Sequence, residues 1–252
     1  MGTPLKAYLV GVGPGAPEQV TAAARQALER ADLVLGWELD LRPIAGCLAG
    51  KKIFLQDVKN YVRATRRAVR EAKRRRAVLA VPRLGDPCLS SGLKGLLRAL
   101  QGFAVQVIPG ISSVQLAAAL ARVNLDESVV VSFHDYGDPE EKKQFVLSCF
   151  SRGRHLILLA SPDLAPGAAA AWLIEQGVSP RIPTVVGSFL SLPEEQVVRS
   201  RLGRLVGREF PWLTVSVFIN PAVPTLEDDL HNWRRWRRVL QKKESAREGR
   251  QL

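Results

Sequence analysis

Three short stretches hold residues whose type and spacing could do chemistry: VGVGPGAPEQVT (10–21), RLGDPCLSSG (83–92) and VIPGISSVQLAAAL (107–120). In the first, Gly11, Gly13 and Ala16 nearly fit the dinucleotide pattern G-x-G-x-x-G/A. Such a site needs successive backbone N–H groups aimed at a pyrophosphate from the start of a helix. Pro14 and Pro17 each remove one of those donors. Glu38 stands near the distance expected of a ribose-binding acid, but with the donor row broken the pattern is weak support for a nicotinamide or flavin site.

The second stretch places Gly85, Asp86 and Pro87 directly after an apolar strand. A carboxylate at the carboxyl end of a parallel strand lies where α/β sheets bind ligands, although Asp86 could equally cap the turn. In the third, Pro109-Gly110 leaves a strand and Ser112 or Ser113 caps a strongly helical segment. Three glycine-bearing turns that end three strands at one rim suggest a shared small-molecule cleft more than three separate caps. No nucleophilic triad or metal spacing accompanies them. Cys47, Cys88 and Cys149 are far apart, and His134, His155 and His231 are isolated. The expectation is reduced thiols, no metal and no assignable catalytic base.

The elements that must position these turns follow from periodicity. Apolar runs at 7–12, 31–36, 51–55, 77–81 and 104–110 read as buried strands, with helices over 17–31, about 60–75 and about 91–101 between them. Such alternation predicts an α/β layer around a mostly parallel sheet. After a helix at 112–123 come strands at 128–134, 155–161, 184–190 and 213–219, with one helix at 167–177 ended by Gly177. Few helices separate these strands, which predicts a mixed sheet. The expected organisation is an N-terminal α/β domain (1–111), a C-terminal α/β domain (112–224) and a basic helical tail (225–252). In that tail Trp233 and Trp236 are expected to anchor the helix.

The chain has 252 residues, a net charge of +12 and 46% hydrophobic residues. No apolar run approaches the roughly 18–20 residues that span a bilayer, and the N-terminus lacks a signal-peptide pattern. A cytoplasmic protein without a membrane partner is expected. The segment 63–76 has the spacing of a charged outer helix face, and a second concentration of Lys and Arg lies in the tail. The remaining basic excess suits phosphates or a ligand rich in carboxylates.

Taken together, VGVGPGAPEQVT, GDP after the fourth strand and VIPGISSVQLAAA resemble, in order and spacing, the tetrapyrrole (corrin and porphyrin) methylases over about residues 7–220. The resemblance implies two α/β domains with S-adenosylmethionine in the cleft between them, and S-adenosylhomocysteine as product. ADLVLGWELDL, the stretch from VIPG to HDYG and RGRHLILLASPDLAPGAAAAWLIEQG are most similar to the branch that methylates C5 of cobalt-precorrin-7 or precorrin-6Y. Carried over residue by residue, it implies cofactor contacts at Pro14, Leu84, Gly85, Asp86, Leu89, Ser112, Ser113 and Ala160, the last with an offset of one residue allowed. CLSSG after GDP and Ala16 in the first turn depart from the family's usual residues.

The implied chemistry is in-line transfer of a methyl group from a sulfonium to an electron-rich ring carbon. Alignment and exclusion of water suffice for it, and positioning can contribute up to roughly 7–11 kcal/mol. Corrin precursors carry acetate and propionate groups, so a basic cleft is expected, with Arg83 as a carboxylate partner and His134 as a substrate contact or proton-handling group. The family also implies a homodimer. The absence of a second catalytic half implies a separate C15-methylating decarboxylase. The competing readings are an rRNA methyltransferase of the same fold, with nucleic acid as the less favoured partner, and a non-catalytic module that binds S-adenosylmethionine or a corrinoid.

Overall fold

A computed structural model describes residues 4–134, 137–162, 164–223, 233–238 and 241. Two five-stranded sheets carry the chain. The first contains β1 (Leu5–Gly11), β2 (Leu33–Trp37), β3 (Lys52–Gln56), β4 (Leu79–Arg83) and β5 (Phe103–Ile108) in the order β3-β2-β4-β1-β5. All its pairings are parallel. The central strands are buried on both faces, as their unbroken apolar runs require.

Helices cover both faces of this sheet. On one lies α1 (Ala22–Glu29), which packs Ala24, Ala27 and Leu28 against Tyr8 and Val10. The predicted helix at 17–31 is thus shorter, because Thr21 caps α1 and Pro17–Gln19 forms a separate 3-10 turn. The other face is covered by α3 (Tyr61–Arg75) and α4 (Leu93–Ala99). Ala64, Ala68 and Ala72 let α3 lie close on the strands, and its arginines face outward. A short helix, α2 (Glu38–Leu41), follows β2 at once. The chain leaves β1 towards one face and β4 towards the other. The carboxyl ends of these neighbouring strands therefore open a crevice, the ligand position of open α/β sheets.

The second sheet contains β6 (Ser128–Ser132), β7 (His155–Leu159), β8 (Pro183–Ser188), β9 (Gln196–Arg201) and β10 (Thr214–Phe218), in the order β6-β7-β10-β8-β9. Only β6 and β7 are parallel, so this sheet is mixed. On it pack α5 (Ser113–Ala121), through Val114, Ala117 and Ala118, and α7 (Pro166–Glu175), through Ala169, Ala170 and Leu173. Like α2, two elements here, one helix and one strand, lie outside the expected set. One is α6 (Pro139–Ser151), whose only fully buried residue is Val146; the other is β9, a half-exposed edge strand. Neither shows a strong apolar pattern.

In the tail, residues 233–238 are helical, and Trp233 and Trp236 are 72% and 61% exposed. They do not anchor that helix on the described residues, which corrects the expectation. The remainder of the predicted tail helix, and His231, lie outside the described residues. Among the described residues, no helix is long and apolar enough to cross a membrane.

Candidate active site

The three glycine turns meet. Gly13 pairs with Gly85 as an isolated bridge, through a 2.7 Å bond from the Gly85 amide to the Gly13 carbonyl. Both have positive φ (78° and 74°), a region that only glycine enters without strain. A Cβ on Gly11 would lie 2.4 Å from the Gly110 nitrogen, and one on Gly110 would lie 2.4 Å from the Gly85 carbonyl oxygen. The glycines therefore serve close approach of backbone to backbone, turn against turn.

Asp86 completes this junction. Its Oδ1 accepts the amide of Cys88 at 2.7 Å and its Oδ2 accepts the amide of Gly110 at 2.9 Å. The carboxylate thus caps its own turn and ties it to the third. Burial and the neighbouring Asp86 charge push the Cys88 thiol up from its ordinary pKa. Ser112 forms a capping box with Gln115: Ser112 Oγ accepts the Gln115 amide, and Gln115 Oε1 accepts the Ser112 amide at 2.7 Å. Ser112 is therefore the cap, and Ser113 is the first helical residue.

Beneath the junction runs a buried polar chain that sequence reading did not find. Asp40, 5% exposed, accepts the Leu84 amide on Oδ1 at 2.7 Å. Its Oδ2 accepts the Trp37 amide at 3.0 Å and the Arg83 guanidinium at 3.2 Å. Arg83 also donates to the Pro82 carbonyl and to Gln56 Oε1, and Gln56 Nε2 donates to Thr65 on α3. The carboxyl ends of β2, β3 and β4 are thereby stitched together. Burial pushes the Asp40 carboxyl above its usual range, while Arg83 and the two amides pull it back. The rule that drew attention to Asp86, an acid just past a parallel strand, applies equally to Asp40 after β2.

Above these turns lies a cavity of about 880 Å³. Pro14, Leu84, Gly85, Asp86, Leu89, Ser112 and Ser113 all line it, as do Arg83 and His134. Ala160 is buried and donates its amide to the Thr214 carbonyl, while its neighbour Leu159 lines the cavity. The second sheet adds Gly187, Leu190 and residues 212–215. Trp37 and Tyr61, with ring centroids 6.1 Å apart, form an aromatic wall, and Trp212 lines the cavity as well. The first turn is tied to the second sheet: the Ala16 amide donates to Ser191 Oγ at 2.6 Å, and Gly15 lies against Leu192.

The charge of this cavity differs from the basic cleft expected. Among the described residues its lining includes Glu38, Asp40, Asp57 and Asp86, against one guanidinium, that of Arg83. Arg83 is 5% exposed and paired with Asp40. Asp57 caps the loop before α3 through the amides of Lys59 and Asn60, and Glu38 lies 3.6 Å from Arg42. The arrangement offers a negative, partly apolar chamber held by rigid strand ends, with no side chain poised as a nucleophile among those described.

A family model for tetrapyrrole (corrin/porphyrin) methylases matches residues 6–206. A probable cobalt-precorrin-7 C(5)-methyltransferase of Methanocaldococcus jannaschii is 29% identical over 212 residues, covering 84% of this chain and 96% of the relative. A cobalt-precorrin-4 C(11)-methyltransferase of the same organism is 25% identical, covering 78% of this chain and 79% of that one. The solved structure of uroporphyrin-III C-methyl transferase from Thermus thermophilus, complexed with S-adenosylhomocysteine, superposes with a TM-score of 0.65 at 27% identity, covering 85% of this chain and 92% of that chain.

Proposed function

The chain belongs to the tetrapyrrole (corrin/porphyrin) methylases, and from that membership we propose that it methylates C5 of a corrin precursor, cobalt-precorrin-7 or precorrin-6Y. It is an S-adenosylmethionine-dependent tetrapyrrole methyltransferase of cobalamin biosynthesis. What supports C5 in particular is the near full-length match to the relative named for that position.

The cavity fits the cofactor chemically. Its carboxylates outnumber its one paired guanidinium, so its field favours a cationic ligand, and Leu84, Leu89, Leu159 and Leu190 provide apolar wall. Bound there, S-adenosylmethionine supplies an electrophilic methyl group. Pro14, Leu84, Gly85, Asp86, Leu89, Ser112 and Ser113 are the residues that would hold it, with Leu159 and Ala160 on the second sheet. The junction of turns fixes the backbone of this wall, and the leucines keep water out, which is the positioning that displacement at carbon requires. His134 lines the same cavity and is taken in this reading as a substrate contact. Arg83 acts through Asp40 as a positioning residue, since its charge is already paired.

This reading treats residues 1–111 and 112–224 as the two domains and takes a homodimer in the cytoplasm, with a separate C15-methylating enzyme, as the working assembly. The test is incubation of the full chain with labelled S-adenosylmethionine and cobalt-precorrin-7, followed by NMR location of the methyl carbon. Label at C5 is expected. Label at C11 or another ring carbon would overturn the position and leave the family chemistry standing. Label entering ribosomal RNA instead would overturn the substrate.

A further inference from the structure

A second cavity, of about 520 Å³, lies between α3 and α4. Its floor is apolar, from Val69, Leu96 and Ala99, and its charged lining residues are Arg66, Arg70 and Lys73, all cations on α3. Tyr61 lines both this cavity and the larger one. On either side of Tyr61 in sequence, Val58 lines the first cavity and Val62 the second, and the two are 87% and 56% exposed. An apolar strip thus joins the two.

The charges on the two sides of Tyr61 are opposite. On the first side, the lining carboxylates face a single guanidinium that is itself paired. On the second, Arg66 and Arg70 have no ion-pair or hydrogen-bond partner among the described residues. Glu71, the one acid of α3, is engaged by Arg74 and Lys52, which hold its carboxyl down at about 2. Lys73 lies 5.8 Å from the Phe103 ring centroid. A corrin precursor brings several carboxylates on an otherwise flat, apolar ring. Like charge disfavours placing those groups beside Asp57 and Glu38.

We propose that the α3–α4 cavity receives a carboxylate-bearing edge of the tetrapyrrole substrate, with Arg66 and Arg70 as its cationic partners. The proposal rests on the methyltransferase reading above. Residues at i and i+4 of a helix lie about 6 Å apart on one face, so the two guanidiniums can take two carboxylates of one edge in forked hydrogen bonds. The ring spans Tyr61, with its reacting edge over the first cavity and one of its carboxylate-bearing edges over the second. The apolar floor takes the stems of the acid side chains.

Uroporphyrin III, an octacarboxylate tetrapyrrole, is the probe, titrated by absorbance into the full chain in the presence of S-adenosylhomocysteine. The variants are R66Q/R70Q and, as a control at the end of β9 and the turn after it, R201Q/R204Q. Glutamine keeps the helix propensity of these exposed sites. R66Q/R70Q is expected to weaken uroporphyrin binding by about tenfold or more, and R201Q/R204Q by less than about twofold. Ala99→Glu, on the facing helix, is expected to weaken it as R66Q/R70Q does, and the affinity for S-adenosylhomocysteine to stay unchanged throughout. Equal affinity of R66Q/R70Q and the native chain, equal loss in both double variants, or no binding of uroporphyrin to the native chain overturns the proposal. Failure of the underlying reading shows separately, as absence of methyl transfer to any tetrapyrrole by the native chain.

Discussion

The carboxylate of Asp86 accepts the amide of Gly110 at 2.9 Å, so the second glycine turn is bonded to the third. Removing that acceptor leaves the Gly110 and Cys88 amides unmet. Asp86→Ala is expected to destabilise the protein by about 1–3 kcal/mol and to weaken S-adenosylhomocysteine binding by about tenfold. Asp86→Asn, which keeps one acceptor, is expected to fall between. Urea denaturation and titration calorimetry check both, and unchanged affinity in Asp86→Ala would detach the junction from cofactor binding.

Gly110→Ala puts a Cβ 2.4 Å from the Gly85 carbonyl oxygen, a backbone atom that cannot rotate away. It is expected to cost about 1–3 kcal/mol or more. Gly46→Ala, where nothing lies within 4 Å, is the control and is expected to change stability by less than about 0.5 kcal/mol. Equal midpoints for the two variants would contradict the packed junction.

Asp40→Ala leaves the Arg83 guanidinium buried without its counter-charge. A loss of about 3–5 kcal/mol is expected. The double variant Asp40→Ala with Arg83→Met is expected to be more stable than Asp40→Ala alone, because no uncompensated charge remains. A double-mutant cycle measured by urea denaturation checks this, and strict additivity would mean that the pair is not coupled.

His155 is buried at the start of β7, where its Nδ1 accepts the Asn220 amide at 3.0 Å. Burial lowers its pKa from the ordinary 6.5, and Glu127 opposes the shift. The unfolded chain therefore binds a proton that the folded chain resists. The stability tied to neutral His155 is full above pH 6.5 and is lost as pH falls through the lower folded value. His155→Gln is expected to flatten the decline of unfolding free energy between about pH 7 and pH 5. An unchanged slope would place the titration elsewhere.

The parallel sheet, the mixed sheet and the three turns were legible because each rests on local pattern: apolar runs, glycine after a strand, serine before a helix. What those turns do to one another was not legible. Asp86 looks the same in sequence whether it faces a ligand or the amide of Gly110, 24 residues away. Arg83 reads as a free cation until Asp40, from a different strand end, is brought to 3.2 Å. The missed α6 buries one residue fully, and the missed β9 is an edge strand with no buried residue, so neither carries the apolar signal that periodicity detects. The expected basic cleft failed for a related reason. Net charge is a property of the whole chain, and folding put arginines on the outer face of α3 and carboxylates in the chamber.

The turn junction is made of backbone atoms and of one acid whose oxygens are occupied within it. Other side chains that face the chamber, among them Trp37, His134 and Trp212, are not its structural members. A lineage built on this frame is free to exchange those side chains one at a time while the frame persists. Changes there leave folding intact, so such a scaffold diversifies by reshaping its chamber over an inherited junction of turns.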